Sequence, residues 1–238
     1  AVWEGLRLLD VRTPLPMAVM GGIFLLILAS GPSWNWKPLA TLCALIWAIR
    51  FFPALKLGLP SLQGARGLLF VFVFMIALLG CFVSIAAVFE HSPVYLVSAM
   101  AIVWVADIGA YFAGRKFGRR ILAPEISPGK TWEGAIGGWL AVLVLFSVSV
   151  FVPSFSDTFA AQLVHQRGWP LWIVIMSILV SASVIGDLFE SLMKRRAGMK
   201  DSSQLLPGHG GVLDRIDALL FAAPALNRLA RRMSVRRS

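Results

Sequence analysis

The sequence predicts an all-α fold, a polytopic bundle of transmembrane helices with about six or seven membrane segments and with catalytic loops on the cytoplasmic side. Of the 238 residues, 58% are hydrophobic and only 14% are Asp, Glu, Lys or Arg, whereas soluble domains carry about 25% charged residues. The mean hydropathy is +0.79. These values exclude a disordered chain, a coiled coil, a collagen-like protein and an ordinary soluble domain.

Continuous apolar runs supply the predicted helices. A helix that spans a bilayer needs roughly 20 mostly apolar residues, and these runs do not alternate as the strands of a membrane barrel do. The predicted segments are Leu15–Ser30 (short), Trp36–Phe52, Leu68–Phe89, Val94–Gly114, Ala135–Val152 and Trp169–Phe189. A seventh run, Val212–Leu229, is apolar only between Ala218 and Leu226, and its crossing is left open. We treat residues 1–238 as a single membrane domain, with a catalytic part at roughly 94–226.

The distribution of charge predicts the orientation. The net charge of +10 comes from 22 basic and 12 acidic residues, and the basic residues lie in short segments between apolar runs. Alternating the runs places two long basic segments, Arg115–Gly134 and Lys194–Gly211, on one side, which the positive-inside rule identifies as the cytoplasm. No nucleic-acid partner is predicted. Cys43 and Cys81 lie inside apolar runs and are expected to be buried without a disulfide.

Acidic and basic residues cluster near the end of the chain. Five of the twelve acids fall within 31 residues, and they are Asp187, Glu190, Asp201, Asp214 and Asp217. Helical spacing puts Asp187, Glu190, Ser191 and Lys194 on one face. Solvated salt bridges are the alternative interpretation, but ionisable groups at a membrane boundary are usually functional. Carboxylates beside cations indicate Mg²⁺ and a phosphate.

Two segments add to this candidate site. The glycines of Pro207–Gly211 let backbone N–H groups approach an anion, and its His209 is either structural or a helper base. In Ser127–Gly134 the Walker spacing fails because Pro124 replaces the first glycine. Ser127 is instead expected to cap a helix that has Pro128 at its first position, and such a helix start beside Lys130 is an anion site.

Asp107 stands alone in an apolar run. It is expected either to pair with Arg115 or Lys116 at the membrane rim or to take part in function.

The longest pattern consists of Ser191-Leu192-Met193-Lys194-Arg195, then Lys200-Asp201, then the residues 206–217, LPGHGGVLDRID. It resembles the signature of bacterial phosphatidate cytidylyltransferases, also called CDP-diacylglycerol synthases. Trp3-Glu4, Trp104–Gly118 and Ser127–Gly138 are similar to the same family, so the similarity runs from about Trp3 to Pro224.

The resemblance implies transfer of CMP from CTP to phosphatidic acid, with pyrophosphate as the second product and Mg²⁺ as cofactor; a second cation is left open. It implies a site that faces the cytoplasm from the bacterial inner membrane, with CTP, phosphatidic acid and the bilayer as partners. It also implies residues before Ala1 and leaves a homodimer open. The nearer alternative is a CTP-dependent polyprenol or diacylglycerol kinase. An ion-coupled transporter using Asp107, Asp187 and Asp217 is the more distant one.

The residues and the resemblance together give the candidate site. The expected metal ligands are Asp187, Asp201, Asp214 and Asp217. The catalytic set adds Lys194, Lys200, His209 and Arg215 to these four. The substrate-binding set is Asp107, Ser127, Lys130, Thr131, Glu133, Ser191, Arg195, Gly210 and Gly211.

Overall fold

A computed structural model describes residues 1–11, 13–29, 37–205 and 210–219 of the chain. Its helices are α1 (Val2–Leu8), α2 (Leu15–Ala29), α3 (Lys37–Ile46), α4 (Phe52–Leu57), α5 (Gly64–His91), α6 (Pro93–Phe117), α7 (Trp132–Val150) and α8 (Phe159–Arg196). A π-helical turn, Trp47–Phe51, joins α3 to α4, and residues 213–219 are helical as well. Strands β1 (Ile121–Ala123) and β2 (Ser127–Thr131) form an antiparallel hairpin between α6 and α7.

The predicted polytopic helical bundle is confirmed. In the described part of the chain, the segments long and apolar enough to cross a membrane are Pro38–Leu57, Gly64–Glu90, Pro93–Phe117, Trp132–Val150 and Phe159–Arg196. The predicted run Leu15–Ser30 forms α2, which has 15 residues. The predicted run Val212–Leu229 is described only as far as residue 219.

Helix α8 begins at Phe159 rather than at the predicted Trp169, because two helical stretches join across a break. Gly168 breaks the helix with φ +79°, a conformation that side chains disfavour, and Pro170 follows. The first stretch packs under α6: Phe159 N donates to Ser98 Oγ at 2.9 Å. Because of this break, the residues before Gly168 cover one end of the bundle and the residues after it run through the bundle to the other end.

Small residues bring α6 and α7 into close contact. A Cβ atom added to Gly138 would lie 2.3 Å from Ala106 O, and one added to Gly134 would lie 2.8 Å from Ala110 O. Glycines four residues apart allow this approach between membrane helices, where association depends on packing rather than on exclusion of water. The first turn of α7 is thus fixed against the second half of α6.

The prediction that a helix begins at Ser127 and Pro128 is wrong. Both residues lie in β2, and Ser127 pairs with Ala123. Helix α7 begins at Trp132, and its cap is Thr131, whose Oγ1 accepts a hydrogen bond from Gly134 N at 3.1 Å. The hairpin forms because it satisfies backbone groups that flank the helix start, including a hydrogen bond from Trp132 N to Arg120 O at 2.9 Å.

Aromatic residues form the core between the first half of the chain and α8. Trp47 and Phe51 both lie in the π-helical turn, and their rings lie 5.2 and 4.6 Å from the ring of Phe189 in α8. Cys43 and Cys81 are buried and free, which confirms the expectation for them.

Because α6 and α7 lie so close together, adding one methyl group to a glycine between them should destabilise the protein. Gly138→Ala places a Cβ against Ala106 O and should lower the free energy of unfolding by about 1–3 kcal/mol, the usual effect of overpacking. Denaturation in mixed detergent micelles measures this change. Gly22→Ala in α2 is the control, since nothing lies within 4 Å of its added Cβ. Equal stability of the two variants would contradict the packing described here.

Candidate active site

A cavity of about 430 Å³ lies at the end of the bundle where α6 ends and α7 begins. Its walls come from α6, the hairpin, α7, α8 and the 213–219 helix. The charged residues that line it are Asp107, Arg115, Lys130, Asp187, Asp214 and Asp217. Four acids therefore face two bases, and this excess of negative charge favours a bound cation.

The two basic segments of the sequence meet beside this cavity. Arg195, at the end of α8, donates from Nε to Ile126 O in the hairpin at 3.3 Å. The hairpin and the end of α8 therefore lie at the same end of the bundle, as the alternation of apolar runs predicts.

Helix α8 presents the predicted face of polar residues. Lys194 Nζ lies 2.7 Å from Glu190 Oε2, one helical turn away. Ser191 Oγ lies 3.5 Å from Asp187 Oδ1, also one turn away. The spacing of three and four residues thus places these side chains as expected.

Lys194 also connects α8 to the 213–219 helix. Its Nζ lies 2.7 Å from Asp214 Oδ1, so one ammonium group bridges the carboxylates of Glu190 and Asp214. A cation between two acids removes the repulsion that would otherwise separate them. This bridge holds together two segments that are 20 residues apart in sequence.

Asp214 is fully engaged by the protein. Its Oδ2 accepts hydrogen bonds from Ser202 N at 3.0 Å, Ser202 Oγ at 2.7 Å and Gly211 N at 2.8 Å. Burial on its own raises the pKa of the Asp214 carboxyl, but the hydrogen bonds from Lys194, Gly211 and Ser202 outweigh it and hold that pKa below its usual range. Asp214 therefore holds the loop before the 213–219 helix in place.

A second group of carboxylates remains available to a cation. Asp187, Glu190 and Asp217 each offer one oxygen, and these oxygens lie within 4.8 Å of one another. Glu190 is fully buried, and its Oε1 has no hydrogen-bond partner among the described residues. Three carboxylate oxygens, one of them unsatisfied, are a donor set that suits a hard divalent cation. Sequence reasoning noted Glu190 in the acidic run but did not include it among the ligands.

Lys130 lies beside this carboxylate group. It projects from β2 into the cavity and forms an ion pair with Asp187 Oδ2. Asp107 and Thr131 line the same cavity. Within the described residues, Asp107 forms no ion pair with Arg115 or Lys116, and Arg115 instead donates to Tyr111 Oη at 3.4 Å.

Other candidate residues support the walls of the cavity. Glu133 Oε2 accepts hydrogen bonds from Arg119 N and Arg120 N, which fixes the base of the hairpin. Gly210 has φ +79°, and a Cβ there would lie 3.0 Å from Asp214 Oδ2. Glycine is thus required where the loop passes Asp214.

The remaining candidates are not members of the carboxylate group of Asp187, Glu190 and Asp217. Lys200 and Asp201 are exposed in the loop after α8, Arg215 is exposed on the 213–219 helix, and Ser127 lies at the start of β2. His209 lies outside the described residues.

Glu4 is a residue that sequence reasoning quoted without giving it a role. It is fully buried in α1. Its Oε1 accepts from Ser203 Oγ at 2.5 Å and from Val212 N at 2.8 Å, and its Oε2 accepts from Leu213 N at 2.8 Å. These partners lie some 200 residues later, so no local spacing could reveal the contact.

Comparison with known proteins places this chain among cytidylyltransferases. The cytidylyltransferase family matches residues 1–232. The chain is 49% identical over 140 residues to a phosphatidate cytidylyltransferase of Haemophilus influenzae, covering 57% of this chain and 46% of the relative. A phosphatidate cytidylyltransferase of Pseudomonas aeruginosa is 48% identical to the chain over 129 residues, which cover 54% of this chain and 44% of the relative. A phosphatidate cytidylyltransferase of Bacillus subtilis is 40% identical over 147 residues, which cover 61% of this chain and 50% of the relative. The matched regions thus span about half the length of these relatives.

The contacts of Asp214 predict a loss of stability when its charge is removed. Asp214→Asn removes the ion pair with Lys194 and replaces one carboxylate oxygen by an NH₂ group that faces hydrogen-bond donors, so the free energy of unfolding should fall by about 1.5–3 kcal/mol. The change is measured by denaturation in mixed micelles. Asp157→Asn, an exposed acid near the other end of the bundle, is the control. A variant as stable as its parent would show that Asp214 does not hold the loop.

Proposed function

The chain belongs to the cytidylyltransferase family, and from that premise we propose that it transfers CMP from CTP to phosphatidic acid and releases pyrophosphate. The observation that carries the proposal is the meeting of Asp187 and Asp217 with Lys130 in one cavity at the end of a membrane bundle, with the buried Glu190 beside the two aspartates. The names of the relatives supply the substrates. Carboxylates beside a lysine suit a reaction between phosphates.

Mg²⁺ is the proposed cofactor, held by Asp187, Glu190 and Asp217. The cavity carries more acidic than basic groups, so a triphosphate alone would be repelled from it. When bound, Mg²⁺ neutralises phosphate charge and draws the nucleotide to the carboxylates. Asp187 and Asp217 belong to the ligand set expected from the sequence. Asp214 is assigned the role of holding the loop, because Lys194 and Ser202 already occupy its oxygens.

Lys130 is proposed to bind the phosphates. Its ammonium group forms an ion pair with Asp187. A phosphate held by a cation on Asp187 would therefore lie within reach of Lys130. Lys194 keeps its place between Glu190 and Asp214 and limits the repulsion among the acids. A phosphate oxygen of the lipid then attacks the α-phosphorus of CTP: the new P–O bond forms, and the bond from that phosphorus to the bridging oxygen of pyrophosphate breaks. The protein acts by positioning and by charge stabilisation.

The lipid substrate is expected to enter from the side of α6. Tyr111 lines the cavity and is 60% exposed, and its neighbours Ile108 and Phe112 are exposed apolar residues. On a membrane-spanning helix such a surface contacts lipid. The cavity therefore borders both the bilayer and the loops outside it, as a reaction between CTP and a membrane lipid requires.

Labelled CTP tests the proposal. With phosphatidic acid and Mg²⁺, label in the α-phosphate should enter lipid, while label in the γ-phosphate should leave as pyrophosphate. Asp217→Asn removes a proposed ligand charge and should reduce turnover by about 10²–10³ while the protein stays folded. Asp157→Asn serves as the matched control with normal turnover.

The same assay separates the alternatives. Transfer of the γ-phosphate to lipid would identify a CTP-dependent kinase, and no transfer of either label would favour a transporter. Retention of more than about a tenth of normal turnover by Asp217→Asn would remove this residue from the ligand set.

The proposed location is the bacterial inner membrane, with the cavity on the cytoplasmic side. Glu125 is exposed in the turn of the hairpin, and Ser156 is exposed in the loop between α7 and α8. In intact spheroplasts, a membrane-impermeant maleimide should label Ser156→Cys and spare Glu125→Cys, because the native cysteines are buried. If Glu125→Cys is labelled and Ser156→Cys is not, the protein has the opposite orientation to the one proposed. Labelling after lysis shows that both positions react.

A further inference from the structure

Three consecutive backbone N–H groups at the start of the 213–219 helix bind to carboxylates. Gly211 N donates to Asp214 at 2.8 Å, Val212 N donates to Glu4 Oε1 at 2.8 Å, and Leu213 N donates to Glu4 Oε2 at 2.8 Å. The first N–H groups of a helix have no partner within the helix, so an outside acceptor fixes where the helix starts. Two of the three acceptor positions here come from α1, at the opposite end of the chain.

The turn before this helix is built around Glu4. A Cβ on Gly211 would lie 2.2 Å from Glu4 Oε1 and 2.1 Å from Ser202 Oγ. The backbone at Gly211 therefore lies so close to the Glu4 carboxylate that a side chain has no room there. Ser203 Oγ donates to the same oxygen at 2.5 Å. Every contact of the Glu4 carboxylate is therefore with a donor, and the group is fully buried.

Asp217 lies one helical turn beyond Leu213. On an α-helix a side chain four residues further on lies on the same side, so a shift of the helix start moves Asp217 with it. Asp217 belongs to the carboxylate group with Asp187 and Glu190, whose oxygens lie within 4.8 Å of one another. An acceptor that fixes Leu213 N thus also fixes one member of that group.

We infer that Glu4 is a positioning residue, which holds the start of the 213–219 helix so that Asp217 meets Asp187 and Glu190. The inference rests on the proposed function for the cation and goes beyond it in giving the first helix a role in the site. Glu4 acts through the backbone and touches neither nucleotide nor lipid.

Replacement of Glu4 by Gln tests the inference. Glu4→Gln keeps the size of the side chain but turns one acceptor oxygen into a donor that faces an N–H group. We expect the affinity of the purified chain for Mn²⁺, measured by electron paramagnetic resonance, to fall by about 10-fold to 100-fold, with a similar loss of kcat. The matched control is Glu90→Gln, an exposed acid at the end of α5, which should retain both values.

A merely structural role gives a different result. It lowers the unfolding temperature while the folded protein keeps its Mn²⁺ affinity and kcat within about twofold of the parent, and that result would overturn the inference. Should Glu4→Gln fail to insert, Glu4→Asp is measured instead. It keeps the charge on a side chain shorter by one methylene, and intermediate losses of both quantities are expected; parental values overturn the inference.

The two proposals fail separately. If the parent transfers no CMP but binds Mn²⁺, and Glu4→Gln weakens that binding, the proposed function fails and the positioning role of Glu4 stands. If the parent transfers CMP and Glu4→Gln matches it in both measurements, only the positioning role fails.

Discussion

The ammonium group of Lys194, bound 2.7 Å from both Glu190 and Asp214, is the interaction on which the arrangement of the cavity depends. Without a cation at that point, carboxylates from α8 and from the 213–219 helix would face each other in a poorly solvated site, and repulsion would separate the two segments. The bridge uses one oxygen of Glu190 and leaves the other without a hydrogen bond among the described residues. The same contact that holds the site together thus leaves an unsatisfied ligand atom beside Asp187 and Asp217.

Packing between α6 and α7 determines what faces this carboxylate group. Because Gly134 and Gly138 lie against backbone oxygens of α6, the first turn of α7 and the strand before it are held close to the second half of α6. Lys130 in that strand then lines the same cavity as Asp107 of α6. Small residues, which carry no chemistry themselves, bring a lysine and an aspartate from different elements to one place.

The sequence predicted the features that depend on neighbouring residues, such as helices and their polar faces. It did not predict the contacts between segments that are far apart along the chain. The apolar runs gave α5, α6 and α7 because a chain in hydrocarbon must satisfy its backbone internally. Helical spacing gave the polar face of α8. The hairpin was missed because Pro128 suits the first turn of a helix as well as a strand. The grouping of Asp217 with Glu190, and the hydrogen bonds of Glu4, depend on how distant segments pack, so spacing along the chain does not contain them.

The π-helical turn at Trp47–Phe51 adds the equivalent of one residue to the helical path between α3 and α4. Deleting one residue there would restore regular α-helical hydrogen bonding and leave the flanking helices in nearly the same rotation, because the turn accommodates the extra residue locally. It would, however, change how the turn presents Phe51, whose ring contacts those of Phe70 and Phe189. Phe189 directly precedes Glu190, so the aromatic packing of this early turn lies next to the carboxylate group. Length variation at this turn is therefore expected to be rarer among related chains than in the loops.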